Sequence, residues 1–229
     1  MSILLKALER GIRDIVFGTQ DGLVSTLGVL TGIARGTGDH TTVVISGFVV
    51  VLVESLSMAA GSYLSSRSNR QYQEHLLSQE RREIETNIDQ EKQEILEMYR
   101  KRGYSDDEIK LIQRRLLSNK DLLLEDMAHK ELGIVPKSFE NPLLNAFFMG
   151  TSYILGGSVP VLPYLFIDDL SLAMIVSFAA TSTGLFGMGA IKGVLLRVGW
   201  LRSGLEILLI AGSATILGYT IGVIASSTF

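Results

Sequence analysis

Charge in this chain is confined to its middle, and that confinement narrows the folds open to it. Residues 65–137 hold 14 Lys/Arg and 15 Asp/Glu, 29 of the 45 charged residues, while the other 156 residues share 16. Sixteen charges are too few to clothe a water-exposed surface of that size. Five apolar windows, roughly 15–34, 43–64, 143–167, 170–191 and 203–226, each reach the ~20 residues a helix needs to cross a bilayer. The first is the least hydrophobic, being interrupted by Thr19, Gln20 and Asp21. The pattern predicts an all-α integral membrane protein with five transmembrane helices and a three-helix domain inserted between helices 2 and 3. Residues 1–64 then hold an amphipathic start and helices 1–2, residues 65–137 the charged domain, and residues 138–229 helices 3–5.

Orientation follows from where Lys and Arg collect. Lys6, Arg10 and Arg13 precede the first window, the charged domain follows the second, and Lys192, Arg197 and Arg202 lie between the fourth and fifth. The other side sees Arg35 and the acidic turn Asp168–Asp169. The expected arrangement places the N-terminus and residues 65–137 in the cytoplasm and the C-terminus outside. The opening MSILLKALERGIRD lacks an apolar core and cleavage site, so it reads as a short helix on the membrane surface and not a signal peptide. GGSVPVLP, Gly156 to Pro163, is expected to kink or break the third span. Pairs such as Gly18/Gly22, Gly28/Gly32, Gly189/Gly193 and Gly218/Gly222 have the spacing that lets membrane helices approach closely.

The charged segment reads as three helices. The first runs from about Leu64 to Arg102 and stops at Gly103. Ser105-Asp-Asp-Glu108 is a capping box opening a second, through Leu117. Asn119 to Leu132 forms the third, ended by Gly133 and Pro136.

Several chemistries are excluded. With no cysteine there are no disulfides, thiolate metal sites or cysteine catalysis. No basic stripe with interleaved aromatics speaks for nucleic acid. Enzymatic function is not expected: no Ser/His or HExxH constellation occurs, His40, His75 and His129 lie outside the spans, and the ExxH partners of a di-iron oxidase are missing.

What remains is carboxylate chemistry. Glu80, Glu83, Glu91 and Glu94 repeat as two ExxE pairs, and on one continuous helix they fall within an arc of about 80°. Four carboxylates on one stripe repel unless a cation sits among them; alternatively the stripe is a solvated face neutralised by Arg81, Arg82 and Lys92. Carboxylate oxygens suit Mg²⁺, Ca²⁺, Mn²⁺ and Fe²⁺. Met127 and Glu131 share a helix face, with Met127 equally suited to a core. Inside the spans lie Asp21, Glu54 and Glu206, and ionisable groups there are costly enough to mark function, interhelical hydrogen bonds being the alternative. Met58, one turn from Glu54, adds a thioether to that face.

These residues bring the chain to a resemblance. DGLVSTLGVLTGIA from Asp21, LSMAAGSYLSSRS from Leu56, the twin ExxE pairs, MAHKELGI from Met127 and NPLLNAFFMGTSYILGGSVPVLP from Asn141 together resemble the vacuolar iron transporter family. The resemblance implies a proton-coupled Fe²⁺/H⁺ antiporter exporting iron from the cytosol, a homodimer with transmembrane helix 1 at the interface. Its pathway residues fall on Asp21 and Met58, and its cytoplasmic metal ligands on Glu80, Glu83, Glu91, Glu94, Met127 and Glu131. Ala128 stands where the family has a second methionine. Val50 stands where it has an acidic pathway residue, a role Glu54 is expected to take. Partners are then divalent metal ions, protons and the lipid bilayer. The cargo is Fe²⁺, with Mn²⁺, Co²⁺ and Zn²⁺ as alternatives, and no prosthetic group is expected. The competing readings are a Mn²⁺ or broad divalent exporter and a membrane-anchored sensor or buffer without transport. A prokaryotic cell membrane is expected over a vacuolar one.

Overall fold

The computed structural model describes residues 3–135, 141–195 and 197–228, and these form eight α-helices with no strand among them. Two compact units result, one of residues 1–64 and 142–229 and one of residues 65–141. Pro136 lies outside the described residues.

In the larger unit, α1 spans Ile3–Thr37, the first part of α2 (His40–Thr86) follows, and α6 (Pro142–Phe166), α7 (Leu170–Leu195) and α8 (Trp200–Thr228) complete it. The N-terminal segment is not a separate surface helix. It runs on into the first apolar window as one helix, because nothing between Ile3 and Thr37 breaks the backbone ladder. Gly38 ends α1 at φ +64, where the lack of a Cβ removes the strain. Asp39 then opens α2, its Oδ2 accepting from the Thr42 amide at 2.7 Å.

The third apolar window also differs from expectation. Pro160 and Pro163 lie inside α6, which continues through both. Each ring removes one backbone donor, and packing against α1 holds the helix together. At that seam a Cβ on Gly22 would lie 2.5 Å from the Tyr153 carbonyl oxygen and 2.7 Å from the Gly157 nitrogen. Glycine lets the two backbones touch there.

The core of this unit gathers Leu30, Ala34, Val43, Val51, Val161, Tyr164 and Ala173, with a second cluster of Leu23, Leu185 and Ile207. Much of the rest is apolar and turned outward; on α2, Ile45, Phe48, Val49, Leu52, Val53 and Leu56 are exposed, Leu56 by 73%. Such a surface calls for cover, by lipid or by another protein. Among the described residues, α2, α6 and α7 are long and apolar enough to cross a membrane, and α8 carries a shorter apolar stretch, Thr215–Ser227.

The smaller unit contains the end of α2, then α3 (Ile88–Lys101), α4 (Asp106–Leu117) and α5 (Lys120–Lys130). The single helix expected from Leu64 to Arg102 is in fact two, divided at Asn87 (φ −127, ψ 45). Asn87 serves α3 as its N-cap residue, its carbonyl accepting from Glu91 N at 3.2 Å. The other limits follow local chemistry. Gly103 at φ +89 stops α3, and the Glu108 carboxylate accepts from the Ser105 amide at 2.8 Å and hydroxyl at 2.7 Å. Asn119 Oδ1 accepts from Asp121 N and Leu122 N, and Gly133 at φ +66 follows α5. Ile84, Ile95, Tyr99, Ile109, Leu116, Leu123 and Met127 fill the core between these helices.

Candidate functional site

The division at Asn87 changes what the four glutamates are. They do not form one stripe; Glu80 and Glu83 end α2, and Glu91 and Glu94 begin α3. Glu80 is 3% exposed and Glu91 1%, while Glu83 and Glu94 are half-buried and Glu131, the C-cap residue of α5, is exposed. Their carboxyls lie near enough to act on one another. Burial pushes Glu80 up to about 8, helped by the charges of Glu131, Glu91, Glu83 and Glu94. Burial likewise pushes Glu91 up to about 7, with Glu94, Glu131 and Glu83 adding to it. Glu131 is raised too, by partial desolvation first and then by Glu94 and Glu83, although its side chain keeps contact with water. Three helices therefore bring five carboxyls into one electrostatic group.

The basic residues that could have neutralised the group are engaged elsewhere. Arg81 pairs with Asp121 at 3.7 Å, Lys92 with Asp89 at 2.6 Å, and Arg82 donates to Ser78 Oγ at 3.5 Å. Glu83 and Glu94 instead accept amide hydrogen bonds from Gln79 (3.0 Å) and Gln90 (2.9 Å). Glu80 Oε1 and Glu91 Oε2 are buried with no hydrogen-bond partner among the described residues. A buried carboxyl oxygen without a donor costs about 1–3 kcal/mol, and a cation would relieve it. No three of the acidic or histidine side chains, among the described residues, already stand at the spacing of a closed metal shell. The group is a gathering of carboxyls, not a finished cage.

Met127 is fully buried in the apolar core, and Ala128 is equally buried. His129 is exposed, as expected of a surface histidine. Beside the glutamates, a cavity of about 350 Å³ is lined by Glu94, Glu97, Met98, Lys101, Arg102 and Glu131. Sequence reasoning passed over Met98; its place four residues after Glu94, on the same helix face, was the available signal. The wall of α5 is fixed by Lys130, whose ammonium bonds to Asp126 and Tyr99 and sits 4.2 Å from the Tyr99 ring centroid. Burial alone would lower the Lys130 ammonium, but the hydrogen bonds to Asp126 and Tyr99 outweigh it and hold it raised.

In the larger unit, Asp21 is half-buried on α1, and Glu54 lies within reach of its charge from α2. Glu54 is exposed and Met58, one turn on, is half-buried; Glu206 is exposed on α8. Val50 is half-buried. Ser25 Oγ donates to the Asp21 carbonyl at 2.7 Å and lies 2.7 Å from Tyr153 Oη. Tyr153, fully buried on α6, is a further polar neighbour that the sequence did not single out. Its signal was a phenol in an apolar window, where the hydroxyl must find a partner. Nearer the N-terminal end of α1, Ser62 Oγ donates to Asp14 Oδ1 at 2.9 Å.

The comparisons with known proteins agree on one family. The chain is 31% identical over 182 residues to vacuolar iron transporter 2 of Oryza sativa subsp. japonica, covering 80% of this chain and 74% of the relative. It is 28% identical over 204 residues to vacuolar iron transporter 1 of Arabidopsis thaliana, covering 89% and 82%. It is 28% identical over 186 residues to protein CCC1 of Saccharomyces cerevisiae, covering 80% and 57%. The sequence model of the VIT family matches residues 12–223, from within α1 to within α8, and the chain belongs to that family.

Proposed function

We propose that the protein is a membrane transporter of ferrous iron, moving Fe²⁺ out of the cytosol in exchange for protons. That its named relatives are iron transporters supports the metal. The observation that carries the reading is the pair of buried, unpartnered carboxyl oxygens on Glu80 and Glu91, within a five-carboxyl group whose neighbours Arg81 and Lys92 pair with other acids. On this reading residues 65–137 face the cytoplasm and collect cargo, with Glu80, Glu83, Glu91, Glu94 and Glu131 as ligands and Met127 behind them in the core. All five long helices of the larger unit cross the bilayer, and two copies of the chain assemble through α1.

Asp21, Glu54 and Met58 then form the translocation residues. A carboxylate oxygen binds either a proton or a metal ion, so a proton gradient can drive release on the far side. Met58 offers a softer ligand than oxygen, which suits Fe²⁺ better than Ca²⁺ or Mg²⁺.

The test is flux. In proteoliposomes with an imposed pH gradient, wild-type protein takes up Fe²⁺ and the Asp21→Asn variant loses at least ~90% of that uptake. Undiminished flux in the variant sinks the pathway assignment. No flux in the wild type, with metal still bound, makes the protein a sensor or buffer. Uptake of Mn²⁺ in preference to Fe²⁺ reassigns the cargo.

A further inference from the structure

One thioether stands at the carboxylate group in a place that no role above uses. Of the two methionines in the smaller unit, Met127 is fully buried among Ile84, Ile95 and Leu123 and belongs to the apolar core. Met98 is different. It packs against the same core yet is only half-buried, and it lines the cavity together with Glu94 and Glu131. One turn of α3 separates it from Glu94, so sulfur and carboxylate share a face. The basic residues of that cavity do not close it: the Arg102 guanidinium donates to the Lys130 carbonyl at 3.2 Å, and Lys101 is exposed to water. A second feature, in the carboxyls next to that cavity, points to a cation. The unpartnered buried oxygens of Glu80 and Glu91 belong to carboxyls that interact electrically with Glu94 and Glu131.

We propose that Met98 is a specificity-determining ligand, its thioether joining Glu94 and Glu131 around the cargo cation. This rests on reading the glutamate group as a cation site. Its consequence is selectivity. Five carboxylates alone make a hard oxygen site that takes Mn²⁺, Mg²⁺ and Ca²⁺ readily. A neutral, polarisable sulfur contributes little to those ions and more to Fe²⁺ and Co²⁺, widening the gap that the Irving–Williams order already sets. It also adds no charge to a group already crowded with it.

The experiment compares full-length wild-type protein with Met98→Leu, Met127→Leu and Glu91→Gln in detergent. Anaerobic Fe²⁺ and Mn²⁺ titrations are combined with X-ray absorption on the Co²⁺-loaded protein. Met98→Leu keeps the side-chain volume and removes the sulfur. It is expected to lower the Fe²⁺ to Mn²⁺ affinity ratio about tenfold, to leave Mn²⁺ affinity unchanged, and to erase the sulfur scatterer from the Co²⁺ spectrum. Met127→Leu should leave ratio and spectrum alone, and Glu91→Gln should weaken both metals together. An unchanged ratio and spectrum in Met98→Leu overturns the proposal, as does a sulfur signal lost only in Met127→Leu. Glu91→Gln binding both metals as tightly as wild type overturns the cation-site reading itself, which separates the two failures.

Discussion

Glu80 and Glu91 hold protons at a pH where an ordinary glutamate has none, since burial, with the like charges of their neighbours, pushes them to about 8 and about 7. A metal ion must displace those protons to use the oxygens. Metal affinity is therefore expected to climb as pH rises from 6 to 8, with about one to two protons released per ion near pH 7. Calorimetry in buffers of different ionisation enthalpy counts them, and a proton count of zero contradicts the coupling. Stability runs the other way. The unfolded chain gives up these protons near 4.5, so between that pH and about 8 the folded metal-free protein binds more protons than the unfolded. That contribution is complete at acid pH and is lost as pH rises through 7 and 8. The expected result is a metal-free Tm that falls between pH 5 and pH 8 and recovers on adding Fe²⁺; a Tm rising with pH over that range would refute the assignment. Glu80→Gln should flatten the fall.

Helices set how much of this could be read in advance. Stops written in local chemistry were legible: the Ser105–Glu108 box, Gly103 and Gly133 each mark the boundary that the structure has. The division at Asn87 was also written, as an N-cap residue followed by Asp89 and Glu91 in a first turn. The unbroken run of helix formers around it overrides that signal, and the spacing alone then predicts one stripe. The approach of Glu131 to Glu80 and Glu91 could not be read from spacing, and only the family resemblance grouped them, because it depends on α5 packing back onto α2 and α3 over the shared core. The Lys130–Asp126–Tyr99 contact fixes that packing between α3 and α5. Lys130→Met leaves the mostly buried Asp126 without its cation and is expected to cost about 1–3 kcal/mol, read by urea denaturation of the metal-free protein. A loss within error would show that the apolar core alone seats α5. Between α1 and α6 the determinant is the absence of side chain. Gly22→Ala places a methyl against the Tyr153 carbonyl, and about 1–3 kcal/mol of stability should go, seen as a lower unfolding midpoint in detergent than for Gly61→Ala, whose Cβ meets nothing within 4 Å.

The chain as a whole divides its solvents: apolar side chains face outward along α2 and its neighbours, and nearly two thirds of the charges belong to residues 65–137. This division was plain from composition, and it is why the fold class could be read before any single helix was placed. Within residues 65–137 the charges almost cancel, 14 basic against 15 acidic. Arg70–Glu74, Lys92–Asp89, Arg100–Asp106 and Lys110–Asp107 pair on its surface, so the acids at the rim are matched locally. Seen from a distance such a surface is electrically quiet. Beyond about 8–10 Å, a Debye length at ordinary salt, an approaching ion meets almost no pull. On the proposed function, capture is then decided on contact, by dehydration and ligand fit, and not by long-range steering. Raising salt from 50 to 300 mM should change the Fe²⁺ association rate less than about twofold in stopped-flow, against the steep fall expected of a strongly acidic funnel. A domain with the role proposed above would not gather cations in general; it would wait for the few that can shed their water at its door.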